Sequence, residues 1–356
     1  MSSRDGFDTL APDFRVRING APLPETAAAD LIGVSVVEEA DAMGMFTLTL
    51  GGWDAVRTDV KWMDDALFRE GNPVDVDMGY RDNLQPLFSG EITGLEPVFP
   101  EARPPVLTVR GYDLLHRMLR QRKTRSYTNV KDSDIAATLA GDAGLTPEVE
   151  DSQVTHPYVL QHNQTDLAFL QTRARRLDYE VAVRARTLRF RPRALGGSPA
   201  LTLRRDVELL EFRLRLSNMG QMQQLTVRGW NPADKREIIG SAVAGDEPDT
   251  MAGAQSGPEA VRRMLGNTGT GVDRVPVHSQ AEADRIAQQR FSAMALGYVG
   301  GEGICIGEPR LRAGTLVSIE GLGVRFSGLY YVTATTHSFT PGRGYRTRFS
   351  ARRNAT

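Results

Sequence analysis

Phe88-Ser89-Gly90 recurs as Phe326-Ser327-Gly328 near the other end of the chain. Each tripeptide follows an alternating stretch, Val74-Asp75-Val76 in the first case and Val317-Ser318-Ile319 in the second. Each is followed by a further strand, an aromatic residue (Phe99, Phe339), a Pro- or Gly-rich turn and a last strand. The order is the same in both places, and self-similarity is best weighed before a fold is assigned. The reading is two related β-barrels, one at each end of the chain; the competing reading is that three common residues recur by accident. A longer match, Leu107-Thr108-Val109-Arg110-Gly111 against Leu225-Thr226-Val227-Arg228-Gly229, lends no support. It follows the Phe-Ser-Gly element in the first copy and precedes it in the second, so it reads as two similar strand ends.

Around the first tripeptide, strand signals dominate. Phe14, Val16 and Ile18 alternate with Arg15, Arg17 and Asn19, a period of two. Leu31 to Glu38 and Met45 to Leu50 alternate likewise, with Phe46, Leu48 and Leu50 on one side. Asp54 to Phe68 reads as a short helix. Short strands broken by Gly and Pro turns indicate a barrel or sandwich for residues 1–110.

From Gly111 the period changes. Asp132 or Ser133 caps a helix carrying Ile135, Leu139 and Ala143 on one stripe, ended by Gly144. A second helix begins near Thr165 or Asp166, with Leu167, Leu170, Ala174 and Leu177 as its apolar stripe. Strands at 180–183 and 187–190 complete a small α+β unit over residues 111–198. Residues 199–356 return to strands and read as the second barrel, with a helical and loop insertion at about 241–297. Within it, residues 241–275, rich in Gly, Ala, Ser, Asp and Pro, read as a long excursion or flexible loop. Ser279 with Glu282 is a capping-box signature for a helix running to about Leu296. The fold class expected is therefore mainly β with α+β: two related barrels flanking a small middle domain.

Bulk properties narrow the function. The 356 residues suggest two to three domains. The single cysteine, Cys305, excludes an internal disulfide. A balance of 43 basic and 44 acidic residues argues against nucleic acid as a specific ligand, because such binding rests on many cation–phosphate contacts. No apolar run reaches membrane-spanning length, so no stable membrane insertion is expected. The start, Met1-Ser2-Ser3-Arg4-Asp5-Gly6, lacks a signal-peptide pattern, and synthesis in the cytoplasm is expected.

Catalytic readings are weak. The histidines are His116, His156, His162, His278 and His337; His156 and His162 do not match a zinc spacing, and no metal or cofactor is expected. Cys305, in Gly303-Ile304-Cys305-Ile306-Gly307, reads as a small buried apolar residue rather than a nucleophile. Glu38, Glu39, Asp64 and Asp65, candidates for a paired-carboxylate site, read as ordinary exposed acids. Asn267-Thr268-Gly269-Thr270-Gly271 lacks the ending of a phosphate loop. The basic run Arg117, Arg120, Arg122, Lys123 and Arg125 reads either as a partner- or DNA-facing surface or as a stretch that pairs with nearby acids.

The order of several short motifs resembles a known family. Gly111-Tyr112-Asp113, Leu115, Leu119, Ser126-Tyr127 and Asp134-Ile135-Ala136 are similar to the opening of the middle domain of contractile-tail hub proteins. Gln161-His162-Asn163-Gln164-Thr165-Asp166, Phe169-Leu170, Arg173-Ala174 and Asp178-Tyr179-Glu180 continue the likeness. So do Gly307-Glu308-Pro309, Gly321, Phe326, Gly328, Tyr330, His337 and Gly344-Tyr345. The family is the phage late control D type, similar to the first part of type VI secretion VgrG spike proteins. The resemblance implies a homotrimer whose six barrels form a pseudo-sixfold ring between a hexameric inner tube and a trimeric spike. It implies structural roles for Gly111, Tyr112, Asp113, Gln161, Asn163, Asp166, Phe169, Leu170, Gly328, His337, Gly344 and Tyr345. Because this sequence ends at Thr356, the spike is expected to be a separate chain. Other baseplate proteins are expected partners, within a phage tail or injection particle. The alternatives are a tail-associated cell-wall hydrolase, which calls for an inserted domain with paired carboxylates, and a carbohydrate-binding β module, which calls for aromatics clustered on loops.

Overall fold

The structure, a computed structural model, describes residues 11–231, 234–247, 249–266, 269–277 and 279–356. Strands β1 (Pro12–Ile18), β2 (Leu31–Glu39), β3 (Met45–Gly51), β4 (Pro73–Tyr80), β5 (Asn83–Val98) and β6 (Val106–Tyr112) form the first unit. They lie side by side in the order β2-β3-β6-β5-β4-β1. Their inward positions, among them Val34, Phe46, Leu48, Val76, Met78 and Val109, fill one core, as the period of two requires.

The middle unit follows: β7 (Arg122–Lys131), α1 (Asp132–Asp142), β8 (Thr146–Val149), β9 (Thr155–Thr165), α2 (Asp166–Arg176), β10 (Tyr179–Arg184) and β11 (Thr187–Pro192). Strand β7 pairs antiparallel with β9, and β11 joins β8 in parallel and β10 antiparallel. Ile135 and Leu139 of α1 and Leu167, Phe169 and Leu170 of α2 meet in a second core. The Thr165 hydroxyl caps α2 by accepting from the Ala168 N–H at 3.2 Å.

The second β unit comprises β12 (Leu201–Arg204) and β13 (Leu209–Leu216), followed after an insertion by strands β17 (Val299–Ile306), β18 (Leu316–Glu320), β19 (Gly328–Thr340) and β20 (Gly344–Arg353). Their order, β13-β17-β20-β19-β18-β12, is that of the first unit strand for strand. One difference stands out: β1 runs antiparallel to β4, whereas β12 runs parallel to β18. Two irregularities also coincide. The register slips by one residue at Ile32 in β2 and at Leu210 in β13, and again at Thr93 in β5 and at Thr333 in β19. Extra residues of this kind are built features of a sheet, not noise.

These bulges correct the alignment that first indicated a repeat. Val74 pairs with Gly90 and Val317 with Tyr330, so the two alternating stretches do correspond. Phe88-Ser89-Gly90 then matches Gly328-Leu329-Tyr330 and lies two residues out of step with Phe326-Ser327-Gly328. The helical turn Gly323–Phe326 occupies the offset. The longer pentapeptide lies in β6 in one instance and in the insertion in the other.

The barrels expected from the sequence are not closed among the described residues. Instead β19 pairs with β2 of the other unit, Ala334 opposite Glu39 through Phe339 opposite Val34, and the two units, with the two-residue strand Ala21–Pro22 beside β1, fuse into one thirteen-stranded sheet. The edge of β2 is thus taken by the partner unit and cannot close on its own.

The insertion starts earlier than residue 241 and is more ordered than a loop. Strands β14 (Gln224–Asn231), β15 (Arg236–Val243) and β16 (Thr270–Arg274) form a separate sheet, with α3 (Gly257–Leu265) and α4 (Gln280–Ala295) in the same segment. Val227, Ile238, Ala283, Ile286 and Phe291 form its core. A true capping box, Ser256 with Glu259, starts α3. At α4 only half of the expected box forms: the Ser279 hydroxyl accepts from Glu282, whose carboxylate turns to Arg176 at 2.8 Å. The helix expected over Asp54–Phe68 is also absent. Asp54 accepts from the N–H groups of Val56 and Arg57, which fixes a turn between two-residue strands, and only Ala66–Phe68 is helical. The boundary expected at 110/111 falls inside β6.

Candidate functional site at the seam between the repeated units

The β2–β19 pairing is locked by side chains from both units. Arg312 grips Glu38 with two guanidinium nitrogens, Nε at 2.7 Å, and also donates to the carbonyls of Pro86 at 3.0 Å and Leu87 at 2.7 Å. Burial pushes the Glu38 carboxyl up, but the Arg312 bonds and charge hold it below the carboxylate range. Glu38 is therefore not the exposed acid expected from the sequence. Glu39, Asp64 and Asp65 are exposed, and Asp65 also caps the Ala66–Phe68 turn.

His337, fully buried in β19, lies beside this pair. Its Nε2–H donates to the Leu311 carbonyl at 3.0 Å, and its Nδ1 accepts from the Tyr345 hydroxyl at 2.8 Å. Both bonds suit a neutral ring, and burial pushes its pKa down to about 4. The Tyr345 ring packs on Gly307, where a Cβ would collide with it. Tyr80 of the first unit donates to the Gly307 carbonyl at 2.8 Å. Phe14 and Phe339 meet across the same seam with centroids 4.8 Å apart.

Gly111, Tyr112 and Asp113 form the exit from the first unit. A Cβ at Gly111 would strike the Glu91 carbonyl and the Phe46 ring, and Tyr112 pairs with Met45 and Glu91. Asp113 accepts from the N–H groups of Gly44 at 2.6 Å and Leu115 at 2.9 Å; burial pushes its carboxyl up to about 7. Gln161, Asn163 and Asp166 lie apart from these, in the middle unit. Gln161 donates to Asp166 at 2.9 Å, Lys123 reaches the same carboxylate at 2.6 Å, and Asn163 turns the chain with φ +46. Phe169 stacks on Tyr127 and is buried with Leu170. Gly328, at φ +136, leaves room for the Arg353 guanidinium, and Gly344, at φ +65, turns between β19 and β20. The twelve residues thus fall into several groups, His337 with Tyr345 at the seam, Gln161 with Asp166 in the middle unit and Gly111 to Asp113 at the exit from the first unit, and do not form one site.

The cations of the basic run are engaged within the chain: Arg117 with Glu91, Arg120 with His116, Arg122 with the Asn163 carbonyl, Lys123 with Asp166 and Arg125 with Asp142. His156 bonds Asp132 and Arg173, while His162 is exposed. His278, Asn267, Thr268 and the opening residues 1–10 lie outside the described residues. Cys305 is buried, and desolvation pushes its thiol up to about 12, far from a reactive thiolate. Among the described residues no cluster of three or more His, Cys, Asp or Glu could hold a metal, and no helix is long and apolar enough to cross a membrane.

A cavity of about 300 Å³ lies where the middle unit meets the seam, lined among others by Arg17, Asp77, Asp113, Arg184, Arg191 and Arg312. Three pairs of its charges are tied together, Arg17 with Asp77, Arg191 with Glu180 and Arg312 with Glu38, while Arg184 donates to the Ala313 carbonyl and Asp113 accepts from backbone N–H groups. Such an arrangement fixes the relative position of three units. Sequence reasoning missed it, because Glu38 and Arg312 are distant in the chain and carry no local signal.

The model of the Alg8 N-terminal domain family matches residues 9–341. The chain belongs to that family. Its fold recurs in solved structures of similar length. The 43 kDa tail protein of prophage MuSo2 from Shewanella oneidensis has a TM-score of 0.73 at 14% identity, over 96% of this chain and 98% of that one. A tail protein from Neisseria meningitidis MC58 has a TM-score of 0.70 at 10% identity, over 96% of each chain. An E. coli component of the type VI secretion system, described as similar to the T4 tail proteins gp27 and gp5, has a TM-score of 0.62 at 14% identity, over 96% of this chain and 77% of that one. No curated protein matches the sequence. At such identities the likeness establishes the fold, and this family member has the fold of phage tail proteins.

Proposed function

We propose that the chain is a structural baseplate hub of a phage tail or contractile injection system, of the late control D and VgrG-like kind. It trimerises and joins a hexameric inner-tube ring to a trimeric spike. The observation that carries this reading is the doubled unit: six strands in one order, with bulges at the same places, twice in one chain. Three copies offer six near-equivalent units to a sixfold ring while keeping threefold symmetry for a spike. The tail-protein fold supports the reading. So does the tying of the seam carboxylates to arginines, which suits a joint rather than a reaction centre. On this reading, the twelve fingerprint residues serve packing and turns.

The test is assembly. Purified chain, alone and mixed with tube and spike proteins encoded beside it, is sized by light scattering. The expected species is a trimer that co-elutes with both partners. A chain that stays monomeric with both present removes the proposal.

A further inference from the structure

Among the described residues the repeated unit leaves open two edges equivalent to those of its internal joint, and they match. In the chain, the second half of the fifth strand of unit two (β19, Ala334–Phe339) pairs with the second strand of unit one (β2, Val34–Glu39). The equivalent half of the fifth strand in unit one is Gly94–Val98, with Phe99 directly after it, aligned through the bulges at Thr93 and Thr333. It pairs with β6 on one side; among the described residues nothing pairs with its other edge. The equivalent second strand in unit two is β13, aligned through the bulges at Ile32 and Leu210. Among the described residues it pairs with β17, apart from a single bridge between Leu209 and Arg205, and ends the sheet. An open edge exposes unpaired backbone donors and acceptors and is a ready template for another chain.

We infer that Gly94–Phe99 of one protomer pairs antiparallel with Phe212–Ser217 of a second copy, in the register that the β19–β2 joint displays. Carrying that register across places Leu95 opposite Leu216, Glu96 opposite Arg215, Pro97 opposite Leu214, Val98 opposite Arg213 and Phe99 opposite Phe212. Every pair on the first face is apolar; on the other face Glu96 meets Arg215, and Val98 meets Arg213. A slip by one residue would set Leu95 and Pro97 against arginines, so the register is strongly specified. Pro97 removes at most one donor from the ladder. Exposure agrees: Val98 and Phe99 are 55% and 64% exposed, values typical of apolar side chains awaiting a partner. Closure after three copies rests on the hub reading; the pairing itself requires only a second copy.

The test is charge exchange and cross-linking in the full-length chain. Arg215→Glu is expected to reduce the light-scattering mass toward that of a monomer, and Glu96→Arg with Arg215→Glu to restore it. Circular dichroism and melting confirm that each variant is folded. In a second measurement, Val98→Cys with Arg213→Cys is treated with a short bis-maleimide. A covalent ladder between protomers is expected, and its absence for the slipped pair Val98→Cys with Leu214→Cys. Buried Cys305 gives no background. An oligomer that forms but does not link in this register overturns the pairing and leaves the hub reading standing. A wild-type chain that is monomeric with tube and spike present overturns both.

Discussion

Thr93 and Thr333 hold the same place in two copies of one strand arrangement: each is the extra residue that bulges from the fifth strand of its unit. From that equivalence the rest of the correspondence follows, down to Val34 of β2 against Phe212 of β13. The chain is thus a doubled unit whose halves are joined at only one of the two edges the design provides.

That joint depends on Arg312. Replacing it with alanine leaves Glu38 half-buried without its cation and frees the Pro86 and Leu87 carbonyls. Removing one partner of a buried pair costs about 3–5 kcal/mol. Arg312→Ala is therefore expected to lower the urea midpoint sharply. Arg312→Ala with Glu38→Ala should cost less than the sum of the two single changes. Additive costs would show that the pair is not coupled.

His337 gives the seam a pH dependence. The unfolded chain takes up a proton near pH 6.5, whereas the buried ring, facing Glu38, Arg312 and Glu308 as well as the Leu311 carbonyl and Tyr345, resists until about 4. Between these values the unfolded state holds more protons, so stability rises with pH and is lost as pH falls. The full window is worth on the order of 3 kcal/mol. Asp113, raised to about 7, acts with the opposite sign, so the wild-type curve alone is ambiguous. The stability difference between wild type and His337→Gln isolates the histidine. It should favour wild type most above pH 6.5 and shrink toward pH 4. A difference that is flat with pH would place the ring in solvent.

Much of this was legible in the sequence, and what was not has a common cause. Alternation disclosed β2 and β3, and the stripes Ile135–Leu139 and Leu167–Leu170 disclosed α1 and α2, because these signals are local. Val74-Asp75-Val76, Val317-Ser318-Ile319 and the aromatics Phe99 and Phe339 correctly aligned the units. The tripeptide did not, since a helical turn is inserted beside one copy. Glu38 read as exposed because its burial depends on Arg312, in the other unit. The box at Ser279 failed in half because Glu282 found Arg176 in the middle unit. Tertiary partners outcompeted local preference at each of these positions.

Two glycines separate close packing from helix propensity. A Cβ at Gly111 would strike the Glu91 carbonyl and the Phe46 ring, so Gly111→Ala must displace backbone and is expected to cost about 1–3 kcal/mol or more. Gly141 in α1 faces open space, with no atom within 4 Å of where a methyl group would stand, and Gly141→Ala should stabilise by up to about 1 kcal/mol. Thermal melts of the two variants are expected to move in opposite directions.

The basic run supplies a last test, between a partner surface and a structural brace. If Lys123 served a nucleic-acid partner, its removal would weaken binding and leave the fold intact. Its ammonium instead lies 2.6 Å from the Asp166 carboxylate, which is only 7% exposed and also receives the Gln161 amide, with the Arg125 guanidinium farther off at 3.8 Å. Taking the cation away leaves a poorly solvated negative charge at the start of α2. The nearby helix N-terminus softens that loss without abolishing it. Lys123→Ala is therefore expected to destabilise the middle unit by about 1–3 kcal/mol, while Lys123→Ala with Asp166→Asn recovers part of the loss. Urea melts read the stability, and DNA retention at physiological salt should be weak before and after the change. Retention that falls with Lys123→Ala at unchanged stability would move the run from brace to binding surface.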